Sequence, residues 1–542
     1  MTTKRVSILA AALAAFLSAA AAQAADYLVS PTGSDTASGL SGAPWKTIQR
    51  ALSSTKPGDV VTVEDGTYAG LACDGVSGTA AARIVFKSRN RWGAKINAAT
   101  SGSSEDFVQL ASCSYITIDG FEVSGAPRSG IAILGNQNDG SDARGVVIQN
   151  CFAHNNGGTS TAGRHDAIFS GFALDLTIQD NRIDTTGEHG IYVSNAADNP
   201  AILRNDVANT GVNCIQINAD LSTGGDGLIS NWRIEDNTVR NCKGSAGINL
   251  DGVIRGVARN NVIFNASKAG ITLYAIDGAE ASHDNLIVNN TVYNPAGSRA
   301  AILLMDGANN NVIFNNILVS QATAFEVAAV TGLMHDYNIV SSYTGTTASA
   351  HESTPANIAA LFVNAASGDL RLAAVTPPVA VDKGIASLGG KAAPTADVLG
   401  APRPAGAGYD IGAYEAGSVA PAGTGGATGS GGAGGTGGNG GSGASRGGNG
   451  GNAGIGGNGA NGANGGNGGN GGNGGNGGST GGAGATAGAP ATPGGAATGG
   501  CACGAAGAGG GTLAGCLACN LLAVPGSILV LSRRRRGARR SS

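Results

Sequence analysis

His189, Tyr192, Lys268 and Asp251 stand in or beside a phrase that recurs along the chain, and each is a side chain that can exchange protons in catalysis. An imidazole, a phenol or an amine held there could take a proton from an acidic carbon. Asn218, Asp220, Asp226 and Asp251 offer oxygen atoms, the ligands that hard cations prefer, so calcium is the one cofactor these residues suggest. His165, Asp166, Glu188, Asn213, Gln216, Asn249 and Tyr274 add the donors, acceptors and aromatic face that hold a hydroxyl-rich substrate. Paired carboxylates, Asp166 with Glu188 or Asp251 with Asp220, would suit hydrolysis instead. Each residue also has a plainer reading: His189 as a turn-capping histidine, Lys268 as a solvated edge charge, Asp251 as part of an ordinary Leu250-Asp251-Gly252 turn, and Asn218 and Asn249 as ladder residues facing nothing.

The elements that must position these groups are short strands. The phrase is an apolar-alternating strand ending in Asn, a turn, then Gly-Ile-x-apolar, as in Ile178-Gln179-Asp180-Asn181 followed by Gly190-Ile191-Tyr192-Val193, and Ile234-Glu235-Asp236-Asn237 followed by Gly247-Ile248-Asn249-Leu250. The asparagines 150, 181, 205, 237, 261, 290 and 316 are spaced by 31, 24, 32, 24, 29 and 26 residues. Such a period signals stacked units, and the lack of long amphipathic helical stretches between strands excludes βαβ and leucine-rich repeats. A unit this short cannot bury its own apolar face and must stack as one coil of a solenoid. The expected fold is therefore all-β: a right-handed parallel β-helix, one chain wound as a single solenoid.

In that arrangement each asparagine either donates to the next coil and accepts from the previous one, or merely tolerates left-handed turn geometry. Aligning the coils on Gly-Ile-x-apolar stacks Phe169, Tyr192, Gln216, Asn249, Thr272 and Leu303 in one outward column, and Ser194, Asn218, Asp251, Tyr274 and Met305 in a second. His165, Asp166, Glu188, His189, Asn213 and Lys268 lie at the preceding turn, and the insertion Asn218 to Gly227 should rise beside this patch as a wall.

The ends differ from this body. Lys4-Arg5, an Ala/Leu/Phe run and Ala22-Gln23-Ala24 read as a secretory signal over 1–24, so export to the cell surface or medium is expected. From 416 to 500 the chain is nearly all Gly, Ala, Asn, Ser and Thr, too apolar-poor to offset its ordering entropy, and reads as a disordered Gly-rich linker. Residues 501–542 carry Cys501, Cys503, Cys516 and Cys519, a weak apolar run and six arginines. Membrane contact is expected through this tail alone, with the arginines on the cytoplasmic side. Net charge is −3, but setting aside two signal charges and six tail arginines leaves −11 on the body, which argues against nucleic acid. Five body cysteines form at most two bridges, with Cys73–Cys113 the preferred pair. A monomer is expected.

The opening Tyr27 to Asp35, Pro44-Trp45-Lys46-Thr47-Ile48-Gln49, Lys56-Pro57-Gly58-Asp59-Val60-Val61 and Asp65-Gly66-Thr67-Tyr68 resembles that of the parallel β-helix superfamily of pectate lyases and chondroitinase-B-like lyases. The resemblance implies a pectate lyase-like scaffold with an N-terminal capping helix near Thr47–Ser53. Gly368 to Leu372, Pro402-Arg403-Pro404 and Asp410 to Glu415 are similar to the closing segment of secreted β-helix proteins, implying a C-terminal cap from about 345 within a domain spanning 25–415. The order cysteine, apolar run, arginines resembles the sorting tails of myxobacterial surface proteins. Together these imply a surface protein whose partner is an extracellular polysaccharide. Three activities stay open: a lyase eliminating across a uronic-acid polymer, a hydrolase or epimerase, and a non-catalytic carbohydrate-binding or structural protein. The clustered acidic motif of lysine-dependent pectate lyases and the paired aspartates of polygalacturonases are absent, so no catalytic residue carries over.

Overall fold

The computed structural model describes residues 24–101, 105–137, 142–158, 163–294, 297–373 and 379–418. The expected signal peptide, except its last residue, the linker from 419 and the arginine tail lie outside these residues. No helix among them is long and apolar enough to cross a membrane.

Three long sheets of 12, 11 and 11 strands share one winding pattern, and every pairing within them is parallel. The first sheet runs from Asp26–Val29 to Met334–Asp336, and eleven spacings of about 4.8 Å give it a length of roughly 50 Å. Each coil adds one strand to each sheet. The second sheet carries the residues of interest on β1 (Ile131–Leu134), β2 (Ile168–Gly171), β3 (Ile191–Ser194), β4 (Ile215–Asn218), β5 (Ala246–Asp251), β6 (Ala269–Tyr274), β7 (Ala300–Leu304) and β8 (Thr323–Val327). Alternation sends Ile191, Val193, Ile215, Ile217, Ile248 and Leu250 into a fully buried core and leaves the intervening residues on the outer face.

Asparagines knit the coils. Asn181 donates its backbone N–H and its side-chain amide to Asn205 Oδ1 at 3.1 and 3.0 Å, and the same double contact repeats from Asn205 to Asn237, Asn261, Asn290, Asn316 and Asn338. The ladder ends where the Asn338 amide donates to Glu352 Oε1 at 2.6 Å. Asn150 is not a rung. Its slot is taken by Cys151, whose N–H donates to Asn181 Oδ1, while Asn150 sits one residue earlier at φ 55°. That earlier position is left-handed in every coil of the ladder, at Asp180, Arg204, Asp236, Asn260, Asn289 and Asn315. Both readings of asparagine therefore hold, at adjacent positions.

Cys73–Cys113 and Cys214–Cys242 are disulfides, leaving Cys151 as the free cysteine of the described body. Its thiol is fully buried and pushed up to about 12 by desolvation. Iodoacetamide is accordingly expected to leave Cys151 unmodified in the native protein and to label it after denaturation; peptide mapping that finds it alkylated without denaturant would show that the coil opens locally.

A short helix α1 (Ile48–Leu52), N-capped by Thr47, buries Ile48, Ala51 and Leu52. From it the Gln49 side chain donates to Ala72 O and accepts from Ala72 N, satisfying the strand Leu71–Asp74 at the edge of the second sheet. At the other end, Ile358, Leu361, Phe362, Leu370 and Leu372 pack with Val262, Ile317 and Ile339 of the third sheet, and Ala393 packs with Val288, Val312 and Phe314 of the first. The closing segment thus lies along the flanks of the late coils, while Glu352 and Ser353, earlier in the cap expected from about 345, pair with Asn338 to Val340 of the last coil. The buried pair Arg403–Glu415, at 2.7 Å, pins it.

Candidate functional site

The outer face of β2 to β6 has the register that the repeated phrase implies. Phe169 pairs with Tyr192, Tyr192 with Gln216, Gln216 with Asn249, and Asn249 with Thr272, while Ser194, Asn218, Asp251 and Tyr274 form the second column. Parallel pairing brings like positions about 4.8 Å apart, so the columns are continuous polar stripes.

The turn before each of these strands builds a second, chemically mixed ladder. Asp166 Oδ1 accepts the His189 N–H at 3.1 Å, His189 Nδ1 accepts the Asn213 N–H at 3.3 Å, and Asn213 Oδ1 accepts the Ala246 N–H at 2.8 Å. His189 is held edge-on to Tyr192 with ring centres 5.0 Å apart, and Tyr192 is edge-on to Phe169 at 5.4 Å. Burial pushes the His189 imidazole down to about 4 and raises the Tyr192 phenol, so both groups are neutral at pH 7. Asn218 donates to the Tyr192 hydroxyl at 3.4 Å and to Asp277 at 3.1 Å. Asn213 donates to Gln216 Oε1. One column over, Asn249 donates to the Tyr274 hydroxyl at 2.6 Å and accepts from Thr272, and burial pushes the Tyr274 phenol up to about 12.

His189, Tyr192, Asn213, Gln216 and Asn218 therefore belong to one connected group, with Asp166, Glu188 and His165 at its edge. A ring nitrogen of His165 lies 3.5 Å from Glu188. Lys268 does not join it. The lysine is exposed, three strand spacings from Glu188 in the same turn column, roughly 14 Å away. The oxygens chosen for calcium are engaged elsewhere. Asp251 is 1% exposed and accepts from the N–H groups of Ile276 and Asp277, both at 3.0 Å; Asp220 caps the turn at Leu221–Thr223 through Ser222; Asp226 accepts from Leu228 N. Carboxylates already bound to backbone amides make a poor cage for an ion that wants six to eight oxygens, and these residues with Asn218 do not fit calcium.

The insertion after Asn218 does form a wall. Its Leu221 N–H donates to Asp277 O and its Gly227 O accepts from Ala279 N, clipping it to the loop 275–281. Two residues of the site escaped the sequence reading. Asp277 receives the Asn218 amide, and Arg164 lies over the Phe169 ring at 4.2 Å while contacting Asp106 at 3.4 Å. The only sequence signal for Arg164 was its place directly before His165-Asp166.

Against known proteins, residues 84–223 and 220–341 match the family model described as right handed beta helix region. Solved structures with a similar course include a complex of XylC with xylose (13% identity, 54% of this chain and 69% of that one, TM-score 0.41). A GH136 lacto-N-biosidase from Eubacterium ramulus is similar over 61% of this chain and 68% of its own (14% identity, TM-score 0.38). Pectate lyase Pel9A is similar over 72% and 96% (16% identity, TM-score 0.41). No curated protein matches. With its three parallel sheets and its one strand per coil in each, the coiled part of the chain is a parallel β-helix, and residues 84–341 of it match the family model for the right-handed form.

Proposed function

We propose that the protein is exported and acts on an extracellular polysaccharide laid along the outer face of β2 to β6, cleaving a uronic-acid polymer by β-elimination. The observation that carries this reading is the pair of neutral proton-transfer groups, His189 and Tyr192, packed edge to face in the middle of an open polar sheet. The imidazole lone pair at Nδ1, engaged only by the long contact from Asn213 N, takes the proton beside the uronate carboxylate; the electrons form the carbon–carbon double bond as the glycosidic carbon–oxygen bond breaks. The Tyr192 hydroxyl protonates the leaving oxygen. Arg164, over Phe169, supplies positive charge to the substrate carboxylate. Hydrolysis by Asp166 and Glu188 is disfavoured because Asp166 is fully buried and cannot reach a glycosidic oxygen.

A second reading, a binding protein without catalysis, draws on Tyr274 and Asn249, which extend the polar face beyond the His189–Tyr192 pair. The 501–542 tail is proposed as a surface-retention signal.

Incubation of the full-length protein with pectate, alginate and glycosaminoglycans, with and without calcium, separates these. Absorbance of an unsaturated uronide is the expected result. Reducing ends without that absorbance would replace elimination by hydrolysis, and retention of a polymer without any product would leave the binding reading.

A further inference from the structure

Asp166 holds a polar atom that neither the fold nor the proposed reaction uses. Its side chain is fully buried, Oδ1 accepts from His189 N, and Oδ2 has no hydrogen-bond partner among the described residues. Leaving such a buried oxygen unpaired is unfavourable, because it has given up water without gaining a donor. Two coils earlier, Asp106 occupies the same turn position and is fully satisfied: both its oxygens bind the Arg128 guanidinium, and Oδ1 also accepts from Ser129 N. The orphan is therefore particular to Asp166 and not to the turn. Its surroundings explain what it lacks. An oxygen of Asp166, an oxygen of Glu188 and a ring nitrogen of His189 all lie within 4.8 Å of one another, the only such group of three metal-ligating side chains among the described residues.

We infer that Asp166, Glu188 and His189 form a site for one divalent transition-metal ion of the zinc class, set in the turn before β2 and β3. Two carboxylate oxygens and an imidazole nitrogen match the ligands that zinc, cobalt and manganese accept, whereas calcium and magnesium seek oxygen alone. Three protein ligands leave a coordination position open to water or a sugar hydroxyl. Bond lengths near 2.0–2.2 Å require the three atoms to draw closer together. Glu188 can supply that movement, since it is half-buried and its carboxylate lies no nearer than 3.5 Å to the His165 ring nitrogen. His189 can supply its lone pair, since the Asn213 contact at Nδ1 is long. The lone pair of His189 that holds the ion is the one the proposed elimination uses as base, so a bound ion would block that reaction; the site is tested by binding alone, and its failure is distinguishable from that of the elimination.

The test is titration of the full-length protein, its accessible thiols first alkylated, with Co²⁺ followed by visible absorption and with Zn²⁺ followed by calorimetry. One ion per chain, with a ligand-field band and no thiolate charge-transfer band, is expected. Glu188→Gln and Asp166→Asn should each weaken binding by at least about 10-fold. The inference is overturned if no ion binds, if both variants bind as the parent does, or if an equal concentration of calcium displaces cobalt. Should Asp166→Asn fail to fold, Glu188→Gln decides, because nothing in the core depends on its side chain.

Discussion

Tyr192→Phe is expected to lower turnover of the cleaved polymer by roughly 10²–10⁴-fold while leaving substrate affinity within a few-fold of the parent. The substitution removes one oxygen. The ring keeps its edge contacts with Phe169 and His189, and the hydroxyl's contacts with Ser194 and, at 3.4 Å, with Asn218 are lost from the fold. Loss confined to kcat would mean that the hydroxyl acts in the transition state, whereas a matching rise in KM with kcat intact would make Tyr192 a binding residue and undercut the proposed proton transfer. A thermal melt within a degree or two of the parent guards against misfolding as the cause. Lys268→Ala provides the contrast: with its amine roughly 14 Å along the turn column, it should change kcat little.

The largest loss of stability is expected from the middle of the asparagine ladder. In Asn261→Ala the backbone N–H of Asn237 loses its acceptor, the Asn237 side-chain amide keeps only Ile202 O and Glu235 O, the side-chain bonds of Asn261 to Ile234 O and Asn290 Oδ1 vanish, and no water reaches these fully buried positions. One stranded donor, the Asn237 N–H, at about 1–3 kcal/mol, and the two lost side-chain bonds of Asn261 at about 0.5–1.5 kcal/mol each put the cost at roughly 2–6 kcal/mol, beyond most single substitutions. Asn150→Ala removes an asparagine from the same sequence pattern but from the left-handed position beside the ladder. It should cost only about 1–2 kcal/mol, because both residues carry a Cβ at φ 55° and alanine lacks only the amide that eases left-handed geometry and makes one half-buried bond to Asp119. Chemical denaturation of the two variants reads the difference directly, and equal losses would mean that the amide stack contributes little.

Those two asparagines also mark how far the amino-acid sequence could be read. The Gly-Ile-x-apolar phrase aligned every outward column correctly, because a period-2 strand locked to a buried isoleucine leaves no freedom of register. The asparagine column was off by one at Asn150, where the rung is Cys151 and the tell-tale residue sits in the neighbouring left-handed slot. The preferred disulfide Cys73–Cys113 is present. The acidic insertion misled for a local reason: Asp220 two residues before Ser222, and Asp226 two before Leu228, are turn and cap signals as much as cation ligands. Asp251 was legible as a turn residue but is the last residue of β5, and its carboxylate accepts from amides in the loop of the following coil. What strand periodicity cannot convey is which turn residue faces inward without a partner, and so the unpaired oxygen of Asp166 had no signature at all.

The closing segment, laid on the flanks of the first and third sheets, leaves the late coils with a single open side. Under the proposed function, a polymer laid on that side parallel to the solenoid axis would meet successive coils in order, each offering one residue from each outward column. A sugar unit is about as long as the rise from one coil to the next, so the solenoid would act as a ruler whose graduations are coils. Removing one complete coil would then shorten the recognised oligosaccharide by one unit and leave the chemistry of the remaining positions unchanged.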